Sequence, residues 1–255
     1  MAETAVVTAA LVLIGNELLS GRTKDANLPF LADRLNALGI QLREARIVPD
    51  VEEEIIAAVD ACRNRYDYVF TTGGIGPTHD DITAGSIAKA FGVALERNAE
   101  AVRRLEAHYA GRMELNEARL RMAMIPAGAT LIDNPVSAAP GFQIGNVFVM
   151  AGVPAIMQAM FDGIASRLVG GTPIQSRTVS CGLPEGTLAA GLGALQERYP
   201  DISIGSYPHF RAGAFGVAIV LRGVDAGRLD TAVEELCDLM RNLGGTPVIE
   251  SPPER

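Results

Sequence analysis

The chain has 255 residues, 48% of them hydrophobic, which is enough for one large domain, or a large and a small one, with an ample core. Its 22 Lys and Arg against 30 Asp and Glu leave a net charge of −8, and so no electrostatic footprint for nucleic acid or an anionic membrane surface. An anionic ligand therefore needs a local device: backbone amides, selected basic side chains, or a metal.

The first run, "TAVVTAALVLIG", follows Glu3 without a Lys or Arg and lacks a small-x-small cleavage site. It reads as a buried strand rather than a signal peptide, and no later run is long enough to span a bilayer. Its almost continuous apolar character over residues 5 to 14 fits a parallel-sheet strand covered on both faces. "NLPFLADRLNALG" then places Leu28, Leu31, Leu35 and Leu38 at helical spacing, with Asn27 as cap and Gly39 as stop. "IQLREARIV" reads as the second strand, and "DVEEEIIAAVDACRNR" as a helix with three acids in its first turn, where the macrodipole favours them. "YDYVFTT" is the third strand. This alternation at short loop lengths predicts a doubly wound α/β structure, with ligand sites at the carboxyl ends of the strands.

A helix is expected from about Asp81 to Phe91, another over "NAEAVRRLEAHYAG", and helical character over "EARLRMAMI". "NVFVMAGVP" is a late strand, and Pro154 starts the next helix. Its methionine-rich "MQAMFDGI" stripe is either core or an oligomer interface. "VGGTP", residues 169 to 173, reads as a linker. Beyond it the pattern becomes strand, helix, strand, strand, helix: two helices on one face of a small, mostly antiparallel sheet. The expected domains are 1–170 and 171–255.

The stretch "FTTGGIGPTHDDIT" carries the chemistry. Gly73, Gly74 and Gly76 permit positive φ and close backbone approach, so their amides can meet an oxyanion. The spacing is neither GxGxxG nor a P-loop. Asp80 and Asp81 follow where an anion should sit, so either they cap the helix or a cation lies between them and the ligand. Glu17, after the first strand, and Asp50, after the second, are further acids for that rim, with solvated or capping roles as alternatives. Oxygen donors around a phosphate suit Mg²⁺ or Mn²⁺. Three histidines, His79, His108 and His209, form no metal set, and three dispersed cysteines, Cys62, Cys181 and Cys237, argue for a reducing cytoplasm over a disulfide framework.

"GNELLSG", Asn27, "VPD", "TTGGIGPTHDDIT", "NPVSAAPGF" and "AGVPAIMQAM" together resemble the CinA-type molybdopterin-binding domain over most of residues 5 to 170. Residues 171 to 250, with "EGTL" and "IGSYP", resemble the small α+β, KH-like domain that follows it. The resemblance implies a three-layer molybdopterin-binding-like α/β fold with a mostly parallel sheet. It implies a cytoplasmic homo-oligomer that binds a small phosphorylated ligand, with neither nucleic acid nor membrane as partner and without the family's carboxyl-terminal nicotinamide-mononucleotide deamidase domain. Catalytic and metal roles fall on Asp81, Asp80 and Glu17, with Mg²⁺, Mn²⁺ or Co²⁺ as cofactor. Ligand and phosphate binding falls on Gly73, Gly74, Gly76, Pro77, Thr78, Asn27 and Asp50. The implied activity is a metal-dependent pyrophosphatase on ADP-ribose or a related dinucleotide such as FAD; the alternative is non-hydrolytic binding of molybdopterin or another phosphorylated pterin. The sequence departs from the family's pattern at Asn16, where "GDE" has Asp, at Ser137 and Ala138, where a Gly-Thr pair is usual, and at Ala151 and Ile156, in place of Pro and Glu.

Overall fold

The computed structural model describes residues 6–211 and 214–250. The chain divides into two compact units that meet between Gly171 and Thr172.

In the first unit, strand β1 (Val7–Ile14) is flanked by β2 (Ile40–Val48) and β3 (Tyr68–Thr72), both parallel to it. Between these strands lie a one-turn helix α1 (Asn16–Leu19), α2 (Asn27–Ala37) and α3 (Glu52–Arg63). After β3 come α4 (Thr83–Ala90), β4 (Leu95–Arg97), α5 (Ala99–Tyr109), α6 (Glu117–Leu120) and β5 (Met124–Pro126). Then follow β6 (Thr130–Ile132), β7 (Gly141–Ile144), β8 (Val147–Met150) and α7 (Pro154–Ile164). The main sheet has the order β2-β1-β3-β8-β7-β6, parallel except that β7 runs antiparallel to both neighbours.

The apolar run of β1 is explained by period two. Ala9, Leu11 and Leu13 enter one core with Leu31 and Leu35 of α2 and Met160 and Phe161 of α7. Ala10, Val12 and Ile14 enter a second core with Ile55 and Val59 of α3, Ile87 of α4 and Leu105 of α5. The result is three layers, helix, sheet and helix, as expected. Phe70 and Phe148, stacked at 5.4 Å, anchor the first core with Phe161, whose ring centroid is 5.9 Å from that of Phe70. The pairing of β1 with β2 slips once, between Ala9 and Ala10, and the extra residue, Arg43, lies on the edge strand β2.

Several local expectations change. The helix after the glycine turn starts at Thr83, not Asp81, and neither Asp80 nor Asp81 caps it. Asn27 does not cap α2; Asp25 does that work, accepting from the amides of Asn27 at 3.1 Å and Leu28 at 2.9 Å. Asp50 is not a cap of α3, which has no side-chain cap. "EARLRMAMI" keeps its expected helical character from Glu117 to Ala123, the last three residues as a 3-10 turn, and then ends in β5, which pairs with β4. The methionine stripe is core, with Met157 and Met160 fully buried.

The second unit contains β9 (Gln175–Cys181), α8 (Glu185–Arg198), β10 (Ser203–Arg211), β11 (Ala214–Gly223), α9 (Ala226–Asn242) and β12 (Val248–Glu250). Its sheet is antiparallel throughout, in the order β10-β11-β9-β12. Leu188 and Leu195 of α8, six residues of α9, and Val179, Val217, Ile219 and Leu221 of the strands share a single core. Both helices therefore cover the same face. Asp225 caps α9 by accepting from the Arg228 amide at 3.1 Å. The expected strands and helices are present, with β12 as an additional edge strand.

Candidate functional site

A cleft of about 510 Å³ opens in the first unit where β1, β3 and β8 end. Glu17 and Thr23 line it from the segment after β1, Gly73 to Pro77 and Asp81 from the segment after β3, and Gly152 to Pro154 from the segment after β8. Asn134, Ser137 and Ala139 form a further wall, and Met122, Ala151 and Ile156 add apolar surface. Because β1 and β3 are neighbours, Glu17 and Asp81 reach the same space from different loops.

The glycine turn is required by its packing. Gly73 has φ 107° and Gly74 φ 66°. A Cβ on Gly73 would overlap the carbonyl of Ile14 at the end of β1, and one on Gly74 would overlap the Thr83 hydroxyl. Thr83 in turn donates to the Gly73 carbonyl at 2.9 Å, locking the turn to the start of α4.

Asp81 braces the following turn. Its Oδ2 accepts from the Thr78 amide at 2.8 Å and from the Thr78 hydroxyl at 2.5 Å, so both bonds fall on a single oxygen. The carboxyl of Asp80 is held below the usual carboxylate range, first by the nearby Thr78 hydroxyl, then by its own amide, with His79 and Arg121 adding positive charge. Thr78 has one hydroxyl proton, however, and its geometry gives that proton to Asp81, leaving Asp80 with the weaker contributions.

The expected site residues thus separate into groups. Glu17, Gly73, Gly74, Gly76, Pro77 and Asp81 line one cleft. Asp80 does not: its side chain is 60% exposed and lies 3.9 Å from Nδ1 of His79. Asp50 is outside that lining: its Oδ2 accepts from the Asn16 amide at 2.8 Å and fixes the start of α1 that carries Glu17. Asn27 is also structural, 4% exposed, with Nδ2 donating to the Gly152 carbonyl at 2.8 Å. Lys24 and Arg22, potential charge partners for a ligand, are exposed, and only Thr23 between them lines the cleft.

Asp80, Asp81 and Glu17 therefore do not form a three-acid set, and among the described residues no cluster of three His, Cys, Asp or Glu is suited to a metal. Mg²⁺ and Mn²⁺ bind through one or two carboxylates completed by substrate oxygens and water. Two carboxylates, Glu17 and Asp81, in a cleft with no Lys or Arg among the described residues that line it fit that arrangement.

Sequence reasoning did not assign Asn134 a role. Asn134 is 3% exposed and organises its loop with every polar atom of its amide: Oδ1 accepts from the amides of Val136 and Ser137, both at 3.1 Å, while Nδ2 donates to the Ala139 carbonyl at 2.8 Å and to Ser137 Oγ at 2.7 Å. This bracing holds Ala138 at φ 61°, a left-handed conformation that costs an alanine roughly 1–2 kcal/mol. The Asn-Pro pair at 134–135 was the available signal, since Asn commonly bonds the backbone two residues on.

Comparison with known proteins agrees with this architecture. Residues 10–170 match the family described as "Probable molybdopterin binding domain", and residues 173–244 match "FAD synthase, middle domain". A protein of Pyrobaculum calidifontis is 38% identical over 211 residues, covering 79% of this chain and 80% of its own. A "Probable FAD synthase" of Caenorhabditis elegans is 31% identical over 261 residues, covering 91% of this chain, which spans half the length of that protein. Among solved structures, the protein CinA of unknown function from Thermoplasma acidophilum superposes with a TM-score of 0.59 at 35% identity, covering 63% of this chain and 96% of that one. With a cleft at the carboxyl ends of a mostly parallel sheet and these matches over both units, the chain belongs to the CinA-type molybdopterin-binding domain family.

Proposed function

We propose that the cleft binds a phosphorylated nucleotide-type ligand and hydrolyses a P–O–P bond, in ADP-ribose or a related dinucleotide such as FAD, with a divalent cation held by Glu17 and Asp81. The observation that carries this reading is the meeting of those two carboxylates with a glycine turn in one cleft lined, among the described residues, by no basic side chain. Two acids would repel a phosphate unless a cation stands between them. A divalent ion supplies that positive charge, together with the acidity that makes water a nucleophile at neutral pH.

The chain's own residues do the rest. The Gly73 amide, expected to meet an oxyanion, donates instead to the Met150 carbonyl at 3.1 Å and ties the turn to β8, so the backbone donors offered to phosphate oxygens are those of Gly74 and Gly76. Thr78 holds Asp81 in one orientation through two hydrogen bonds. Asp50 secures the peptide before Glu17. Met122 and Ile156 provide apolar surface for a ring system.

The test is AMP release from ADP-ribose and FAD with Mg²⁺, Mn²⁺ or Co²⁺, against chelator, in the wild type and in Glu17→Gln and Asp81→Asn. Product only with metal, and a loss of about a hundredfold or more in each variant, is expected. Turnover indifferent to chelator and to both substitutions would overturn the reading. A second reading, saturable binding of molybdopterin or another phosphorylated pterin without hydrolysis, is favoured by the presence of only two acids in the cleft and of Ile156 on its wall.

A further inference from the structure

We propose that the Ser137 hydroxyl is a hydrogen-bond donor to a phosphate oxygen of the bound ligand, on the wall of the cleft formed by the 134–139 loop. The inference rests on the reading of the cleft as a phosphate site, and it follows from counting protons around Asn134. The two amides that meet Asn134 Oδ1 can only donate, and the Ala139 carbonyl that meets Nδ2 can only accept, so the orientation of the carboxamide is fixed by its partners. The remaining Nδ2 proton points to Ser137 Oγ at 2.7 Å. Oγ is therefore an acceptor in that bond, and the hydroxyl keeps its own proton.

No described residue takes that proton. Ser137 is half-buried, lines the cleft, and makes its side-chain bond with Asn134 only as acceptor. A hydroxyl whose lone pair is engaged by a strong donor is polarised toward donating in its turn. The cleft's own carboxylates, Glu17 and Asp81, face a ligand as acceptors, so donors matter for holding an anion there; Ser137 adds one from a loop separate from the glycine turn. The buried Asn134 and the left-handed Ala138 hold that donor in place before any ligand arrives.

The test is calorimetric binding of ADP and of adenosine, each with Mg²⁺ present throughout, to the wild-type chain and to Ser137→Ala, Ser137→Thr and Ser137→Cys. Loss of a hydrogen bond to a charged oxygen weakens binding by roughly ten- to a hundredfold. The expected result is that loss for ADP in Ser137→Ala, with adenosine unchanged and Ser137→Thr restoring ADP affinity. Ser137→Cys retains a weak acceptor for Asn134 while offering only a weak donor to the ligand, so it is expected to follow Ser137→Ala and answers the question if the alanine variant does not fold. Equal ADP affinity in the wild type and Ser137→Cys overturns the inference alone. So does a parallel loss for adenosine, which marks a structural role. A wild type that binds no ADP overturns both this inference and the phosphate reading beneath it.

Discussion

The two units use their sheets differently. In the first, β1 sends alternate residues into two separate cores, so both faces of the sheet are closed by helices. In the second, α8 and α9 close one face only, and that same face runs past the core at the tip of the β10–β11 hairpin, where Phe210 and Phe215 are 62% and 81% accessible with their rings 4.8 Å apart. A sheet covered on both sides has no free face for a ligand, so its polar chemistry collects where the strands end. The one-sided sheet has no such restriction.

The largest expected effect comes from breaking the two-sided packing. Phe70→Ala empties a fully buried site beside Phe148 and Phe161 and is expected to cost about 3–5 kcal/mol in chemical denaturation of the first unit. A loss below about 1 kcal/mol would mean that the sheet is not closed on that face. Gly74→Ala should follow at roughly 1–2 kcal/mol or more, because the left-handed backbone is strained for alanine and the new methyl group meets Thr83. This variant should also lose ligand affinity, whereas Gly163→Ala, on a helix with open space around that glycine, should not.

A smaller effect lies at the edge strand β2. Glu44 accepts from the Tyr66 hydroxyl at 2.7 Å and from Arg46 Nε at 2.6 Å, and these bonds, the tyrosine's first, hold its carboxyl below the usual carboxylate range. A depressed acid contributes stability above its unfolded pKa of about 4.3 and loses it as the pH falls through the lower folded value. Glu44→Gln should therefore flatten the decline in stability below about pH 4 and change little at pH 7 beyond a modest loss, since the group is close to solvent. Urea unfolding at several pH values checks this. The smallest effect is expected from Phe215→Ala, within about 0.5 kcal/mol in the same assay, because that ring is already in water. A larger loss would show that the tip of the β10–β11 hairpin contributes to the stability of the second unit.

Much of this was legible in the sequence because the signals were long. The 17-residue α9 and the apolar β1 announce themselves by period. The three-residue strands β4, β5, β6 and β12 are too short for any period, and β4 is exposed along its whole length, so nothing in its composition marks it. At the candidate site, Glu17 and Asp81 share a cleft because strand order makes β1 and β3 neighbours, which the doubly wound pattern predicts. The different fates of the adjacent Asp80 and Asp81 were not legible. They depend on which carboxylate reaches back to Thr78, a matter of one peptide's orientation rather than of residue type.

The parity of β1 has a consequence for how this chain tolerates insertion and deletion. Removing one residue from β1 would exchange the contents of the two cores; removing two would restore them but draw Glu17 back by about 6.6 Å, off the cleft. The strand thus acts as a ruler between the sheet's interior and its rim, and its length is fixed from both ends. The sheet's own irregularity respects that rule: the extra residue sits at Arg43 on β2, where one side of the strand is unpaired and an added step displaces nothing downstream of β1.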